Sequence, residues 1–125
     1  MRAPVGISLA AALLLPLHPV AAQPITKRLP AGDPESGRAV IARHGCGVCH
    51  LVPGVSGARG TVGPSLAGFG DRNVIGGIVP NTPDWLTRWL DNPPAIAPET
   101  MMPAMGLSDG EIADTAAYLL SLRAD

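Results

Sequence analysis

A chain of 125 residues with a formal net charge of −1 is long enough for one small domain and not two. Its one lysine, Lys27, belongs to no basic run, which excludes the electrostatic footprint of a nucleic-acid binder. It carries 15 glycines and 14 prolines against two tryptophans, one tyrosine and one phenylalanine; a small chain so rich in loops and so poor in bulky side chains needs a staple or a cofactor to fill its centre.

Residues 1–22 read as a signal peptide. Arg2 supplies a charged start, "GISLAAALLLPL" a short apolar run broken by Pro16 and Pro19, and "VAA" the small residues of a cleavage site. The run is short for a bilayer span, and its proline-broken end suits removal better than retention as an anchor. Cleavage after Ala22 leaves eight basic and ten acidic residues, a net charge of −2. Export places the cysteines in an oxidising compartment. Residues 23–32 form a polar, proline-containing arm expected to be flexible, and the folded domain is expected over 33–125.

The first helix lies in "GDPESGRAVIARHG". Asp33 suits the N-cap, Pro34 the first turn, Glu35 the positive end of the dipole and Gly45 the stop. Gly37 within it costs about 1 kcal/mol against alanine, either tolerated or required by close approach of another helix. Residues 51–81 are glycine-rich loop, with one short helical turn expected around Asp71 to Ile75. In "NTPDWLTRWLDNPP", Thr82 caps, Pro83 enters the first turn, Leu86, Trp89 and Leu90 recur at helical spacing, and Pro93 and Pro94 end the helix. "AIAPETMMPAMG" is a second extended loop. The last helix, in "LSDGEIADTAAYLLSLRAD", begins at a Ser108–Glu111 capping box and buries Ile112, Ala116, Leu119 and Leu120, with Arg123 near its end. No strand signal and no internal repeat is visible. The expected fold is therefore all-α, three main helices joined by long loops. A loop as long as 51–81 is foreign to a compact domain unless it wraps something.

"HGCGVCH", residues 44–50, holds both cysteines. A redox dithiol needs its C-x-x-C after a strand, and here a helix precedes it. Zinc needs four ligands at workable spacing, and Cys46, Cys49, His44 and His50 crowd into seven residues. A disulfide would close a tiny loop and stabilise little. C-x-x-C-H is also the pattern of covalent haem attachment, with the thiols bonded to the porphyrin edge and the adjacent His50 held under the iron. That reading accounts for the empty centre and the long loop. No histidine follows His50, so a second axial ligand comes from the methionine cluster Met101, Met102 and Met105. His44 is a polar residue at a helix end.

"CGVCH", "VGPSLAGFGDR", "WLTRWLDNP", "TMMP" and "EIADTAAYL" occur in this order over residues 33–122, and with them the sequence resembles a class I c-type cytochrome, closest to bacterial members associated with haem–copper oxidases. The resemblance implies the small cytochrome c fold wrapping one covalently bound haem c. Cys46 and Cys49 would hold the haem, His50 would be the proximal ligand, and Pro64 would accept from its other ring nitrogen. Met102 would be the distal ligand, with Met105 the second candidate. Trp89 would lie beside the methionine sulfur, and Arg72 and Thr100 would bond haem propionates. Gly37 and Tyr118 match the crossing of the first and last helices. The sequence departs from the family at Ile41, where an aromatic is common, and at Thr115, where a larger apolar residue is common. Asn81 falls near a position where the mitochondrial relatives have a tryptophan. Pro94, Ala95 and Met101 stand where mitochondrial relatives carry lysines.

The implied function is one-electron transfer in the periplasm, not enzyme catalysis, since His/Met ligation leaves no open position on the iron. Expected partners are redox proteins such as a membrane oxidase, a cytochrome complex or a periplasmic dehydrogenase. The chain itself is expected as a monomer without a transmembrane segment after cleavage. Docking would be apolar, through Gly47, Val48, Ala95 and Met101. Two other readings remain: a haem subunit held in a membrane oxidase or dehydrogenase complex, and a ligand-binding or peroxidase-like protein whose methionine dissociates.

Overall fold

The computed structural model describes residues 31–124. The expected signal at 1–22 and most of the arm at 23–32 lie outside the described residues; at the arm's end, Gly32 packs against the backbone of Ala113. The chain runs α1 (Pro34–Arg43), a 3-10 turn (Cys46–Val48), a second 3-10 turn (Phe69–Asp71), strands β1 (Val74–Ile75) and β2 (Val79–Pro80), α2 (Pro83–Asp91), α3 (Pro93–Ile96) and α4 (Asp109–Ser121). Three main helices are present as expected.

Local chemistry sets the helix ends. The Asp33 carboxylate accepts from the backbone N–H groups of Glu35 and Ser36, and the Thr82 hydroxyl accepts from that of Trp85. At α4 the Ser108 side chain accepts from Glu111 N–H while the Glu111 carboxylate accepts from Ser108 N–H, the complete capping box. Gly45, at φ 70°, takes the left-handed conformation that ends α1.

Helices α1 and α4 cross at Gly37. A methyl group there would overlap the Asp114 carbonyl, so only glycine admits this approach, and the mid-helix cost has its reason. Around the crossing, Ile41, Ile112, Ala116, Tyr118 and Leu119 join Leu86, Trp89 and Leu90 of α2 in one core. Tyr118 reaches past α1, donating its hydroxyl to the Pro53 carbonyl at 2.6 Å, and so ties α4 to the loop after the cysteine motif.

The loop region differs from the sequence expectation in two places. The turn expected at Asp71 to Ile75 lies earlier, at Phe69–Asp71, and Val74 and Ile75 are extended. They pair antiparallel with Val79 and Pro80, Val74 opposite Pro80 and Ile75 opposite Val79. Gly76 and Gly77, at φ 57° and 72°, are the central residues of a turn closed by Ile78 N–H donating to the Ile75 carbonyl at 3.0 Å, and Ile78 completes the three-residue connection between the paired Ile75 and Val79. Both central residues at positive φ are what a tight hairpin demands, and Gly-Gly meets that demand. The second difference is at Pro93. Helix α2 stops at Asp91, and Pro93 opens the short α3, with Asn92 capping it by accepting from Ala95 N–H at 3.3 Å. Proline ends one helix and starts the next because its missing N–H is an orphan in a first turn. Among the described residues no helix is long and apolar enough to cross a membrane.

Candidate functional site

A cavity of about 690 Å³ opens between α1, α2, α4 and the two long loops. This is within the usual size of a cofactor pocket. Ile41, Leu86, Leu90 and Leu119 form its floor, and Arg72 and Glu99 are the only charged residues among the described ones that line it. The eight residues expected to hold the haem lie on its wall: Cys46, Cys49, His50, Pro64, Arg72, Trp89, Thr100 and Met102.

The cysteine motif occupies a tight turn directly after α1. Cys49 N–H and His50 N–H both bond the Cys46 carbonyl, at 3.2 and 3.0 Å, which brings the two thiols to one side. Neither is in a disulfide. Cys46 packs against the core, and burial pushes its thiol pKa up. Gly47 turns inward: a methyl group on it would stand 2.6 Å from Ala58. Val48 alone between the cysteines faces solvent, 76% exposed.

His50 is oriented from two directions. Its Nδ1 lies 2.7 Å from the Pro64 carbonyl. A carbonyl only accepts, so Nδ1 carries the hydrogen of this bond and Nε2 is the ring nitrogen left for another partner. Gly63 lies flat against the ring, where any side chain would collide with it. An imidazole held in one orientation, with one nitrogen anchored and the other free, is the geometry of a metal-ligating histidine.

The three methionines separate. Met101 is 85% exposed at the cavity rim. Met102 is half-buried against the core, and its sulfur accepts the Trp89 indole N–H at 3.3 Å. Thr100 Oγ1 accepts from Met102 N–H at 3.2 Å, fixing the backbone just before the sulfur. Met105 lines the cavity without a contact of this kind to its sulfur among the described residues.

Arg72 Nη2 donates to the carbonyls of Ser65 and Ala67, the latter at 3.1 Å, and its guanidinium stacks 5.7 Å from the Phe69 centroid. It thus braces the loop that carries Pro64, with donors to spare for an anion. Asn81 donates to the Phe69 carbonyl at 2.9 Å and is not on the cavity wall. His44 also turns away from the cavity, its Nε2 lying 3.1 Å from Glu111 Oε1, which Arg43 Nη2 also reaches at 2.7 Å. The sequence marked Glu111 only as a helix cap. The three-way contact across the α1–α4 junction joins residues 67 and 68 positions apart, a distance no local pattern reveals.

Residues 34–123 match the cytochrome c family. The chain belongs to that family. It is 34% identical over 88 residues to cytochrome c oxidase subunit 2 of Alkalihalophilus pseudofirmus, covering 70% of this chain and 25% of that protein. It is 30% identical over 111 residues to cytochrome c oxidase subunit 2 of a Bacillus species, covering 86% of this chain and 29% of that protein. It is 34% identical over 108 residues to cytochrome c2 of Rhodopila globiformis, covering 75% of this chain and 97% of that protein. This cytochrome therefore spans about a quarter of the length of its oxidase relatives and nearly the full length of cytochrome c2. Membership implies haem c as cofactor and electron transfer as function. The cavity fits that group: apolar walls, two thiols in one turn, an imidazole with a free Nε2, and a thioether sulfur from a separate loop.

Proposed function

We propose that this cytochrome is a periplasmic one-electron carrier with haem c bound covalently through Cys46 and Cys49 and ligated by His50 and Met102. The observation that carries the proposal is the His50–Pro64 contact at 2.7 Å, which leaves Nε2 free on the same cavity wall as both thiols and the Met102 sulfur. Bound haem c supplies a one-electron iron couple. The chain does the rest. Pro64 fixes the His50 tautomer and raises its basicity. Met102 supplies a thioether, a donor that favours a raised reduction potential. Trp89, with its N–H on that sulfur, distinguishes Met102 from Met105. Arg72 would offer a cation and Thr100 a hydroxyl to the haem propionates. Leu86, Leu90 and Leu119 exclude water.

Visible spectra of the purified protein test this. Haem c bands that survive denaturing extraction and a far-red sulfur–iron absorption in the ferric state are expected. Met102→Ala should abolish that absorption and admit carbon monoxide to the reduced iron, while Met105→Ala keeps the wild-type spectrum. The reverse pattern reassigns the ligand to Met105.

The two oxidase relatives favour a second reading, in which this chain hands electrons to, or sits within, a membrane haem–copper oxidase. Retention of residues 1–22 as an anchor belongs to that reading, and their removal as a signal to the first. The mass of the mature N-terminus separates the two.

A further inference from the structure

The hairpin of β1 and β2 makes a contact that no motif anticipates. Gly76 opens its turn and lines the cavity. A methyl group on Gly76 would stand 2.6 Å from Cη2 of Trp89, 3.1 Å from Cζ3 and 3.2 Å from Cζ2. Glycine thus lets the hairpin backbone rest on the outer edge of the indole ring. Trp89 has little room to retreat, since it is 8% exposed in a core shared with Leu86 and Leu90. The indole is a rigid plane, so where its six-membered ring is held, its Nε1 is held too. That Nε1 donates to the Met102 sulfur. Gly77, the next residue, has the same positive φ and nothing within 4 Å of the position its methyl group would take.

We propose that Gly76 is a positioning residue: the hairpin backbone at Gly76 seats the Trp89 indole and thereby fixes its N–H on the Met102 sulfur. The proposal rests on Met102 as the iron ligand. An N–H on that sulfur withdraws electron density from it and makes it a poorer donor to ferric iron, which favours the reduced state. The hairpin is then part of the device that sets the potential, although none of its residues ligates.

The test uses holoprotein. In the reduced wild type, a nuclear Overhauser contact between the Gly76 α-protons and the Trp89 ring is expected, and its absence overturns the seat without any substitution. Gly76→Ala and Gly77→Ala impose the same backbone demand, but only the first adds a methyl group against the indole. Gly76→Ala should shift the Trp89 Nε1–H resonance and lower the reduction potential, while Gly77→Ala leaves both at wild-type values. Equal effects from the two variants, or no effect from Gly76→Ala, overturn the proposal. In a Trp89→Phe background Gly76→Ala should no longer move the potential. If Met102→Ala leaves the far-red absorption intact, the ligand assignment fails, and the indole resonance still judges the seat of Trp89 on its own.

Discussion

Gly37 and Asp114 meet backbone to backbone at the crossing of α1 and α4, with no room for a methyl group between them. Gly37→Ala sets two effects against each other. Alanine gains about 1 kcal/mol in helix propensity. Overpacking a rigid contact costs about 1–3 kcal/mol, and here the obstacle is main-chain carbonyl, which has no rotamer to change. The contact should win. Urea unfolding of the holoprotein is expected to show a net loss on the order of 1–2 kcal/mol. A stabilised variant would mean that the helices do not cross at this point.

Thr115 is 2% exposed, and among the described residues its hydroxyl has no hydrogen-bond partner. A buried unpaired hydroxyl costs about 1–3 kcal/mol, and removing it while keeping the shape is neutral or stabilising. Thr115→Val should therefore raise the unfolding midpoint, with a gain of about 1 kcal/mol. A clear loss of stability would show that the hydroxyl has found a partner in the holoprotein.

The Glu111 carboxylate accepts from Ser108 N–H and contacts Arg43 at the end of α1 and His44 just after it. The Ser108 backbone hydrogen bond, then those with Arg43 and His44, hold its pKa at about 2 instead of 4.5. A depressed carboxylate stabilises the fold above its unfolded pKa and loses that contribution as pH falls through the folded one. Stability should thus decline between about pH 4.5 and about pH 2. Glu111→Gln keeps an acceptor for Ser108 but no charge for Arg43. It should be less stable than wild type at neutral pH, with the gap closing across that window. A gap that stays constant down to pH 2 would rule out the linkage.

Val48 and Met101 are 76% and 85% exposed beside the cavity mouth, and among the described residues no lysine lies on its wall. Gly47, between Cys46 and Val48, packs its α-carbon side on Ala58 and offers a docking partner backbone only. Docking through such a rim depends little on charge. Electron transfer to a redox partner should change little as the screening length shrinks from about 30 Å to about 8 Å with added salt. Val48→Asp should slow it about tenfold, equivalent to about 1.4 kcal/mol. A steep salt dependence in the wild type would point to charged docking instead.

The parts legible in sequence were those with local causes. Asp33, Thr82 and Ser108 cap helices because a short polar side chain reaches N–H groups two or three residues ahead. Cys46, Cys49 and His50 fall together because one turn spans them. The hairpin also had a local signal, Gly76-Gly77 between β-branched residues, but two-residue strands are too short to show alternation. Pro93 was legible as a stop and not as a start, since the same missing N–H serves both.

By itself the sequence determined the helix ends, the attachment turn and the supply of methionines, all matters of bonding within a few residues. Only the tertiary structure decided which methionine sulfur meets the Trp89 N–H, why Gly37 and Gly76 must be glycine, and that Glu111 joins two helices. Those depend on side chains and backbones brought together from distant segments, and packing of that kind is settled when the whole core closes.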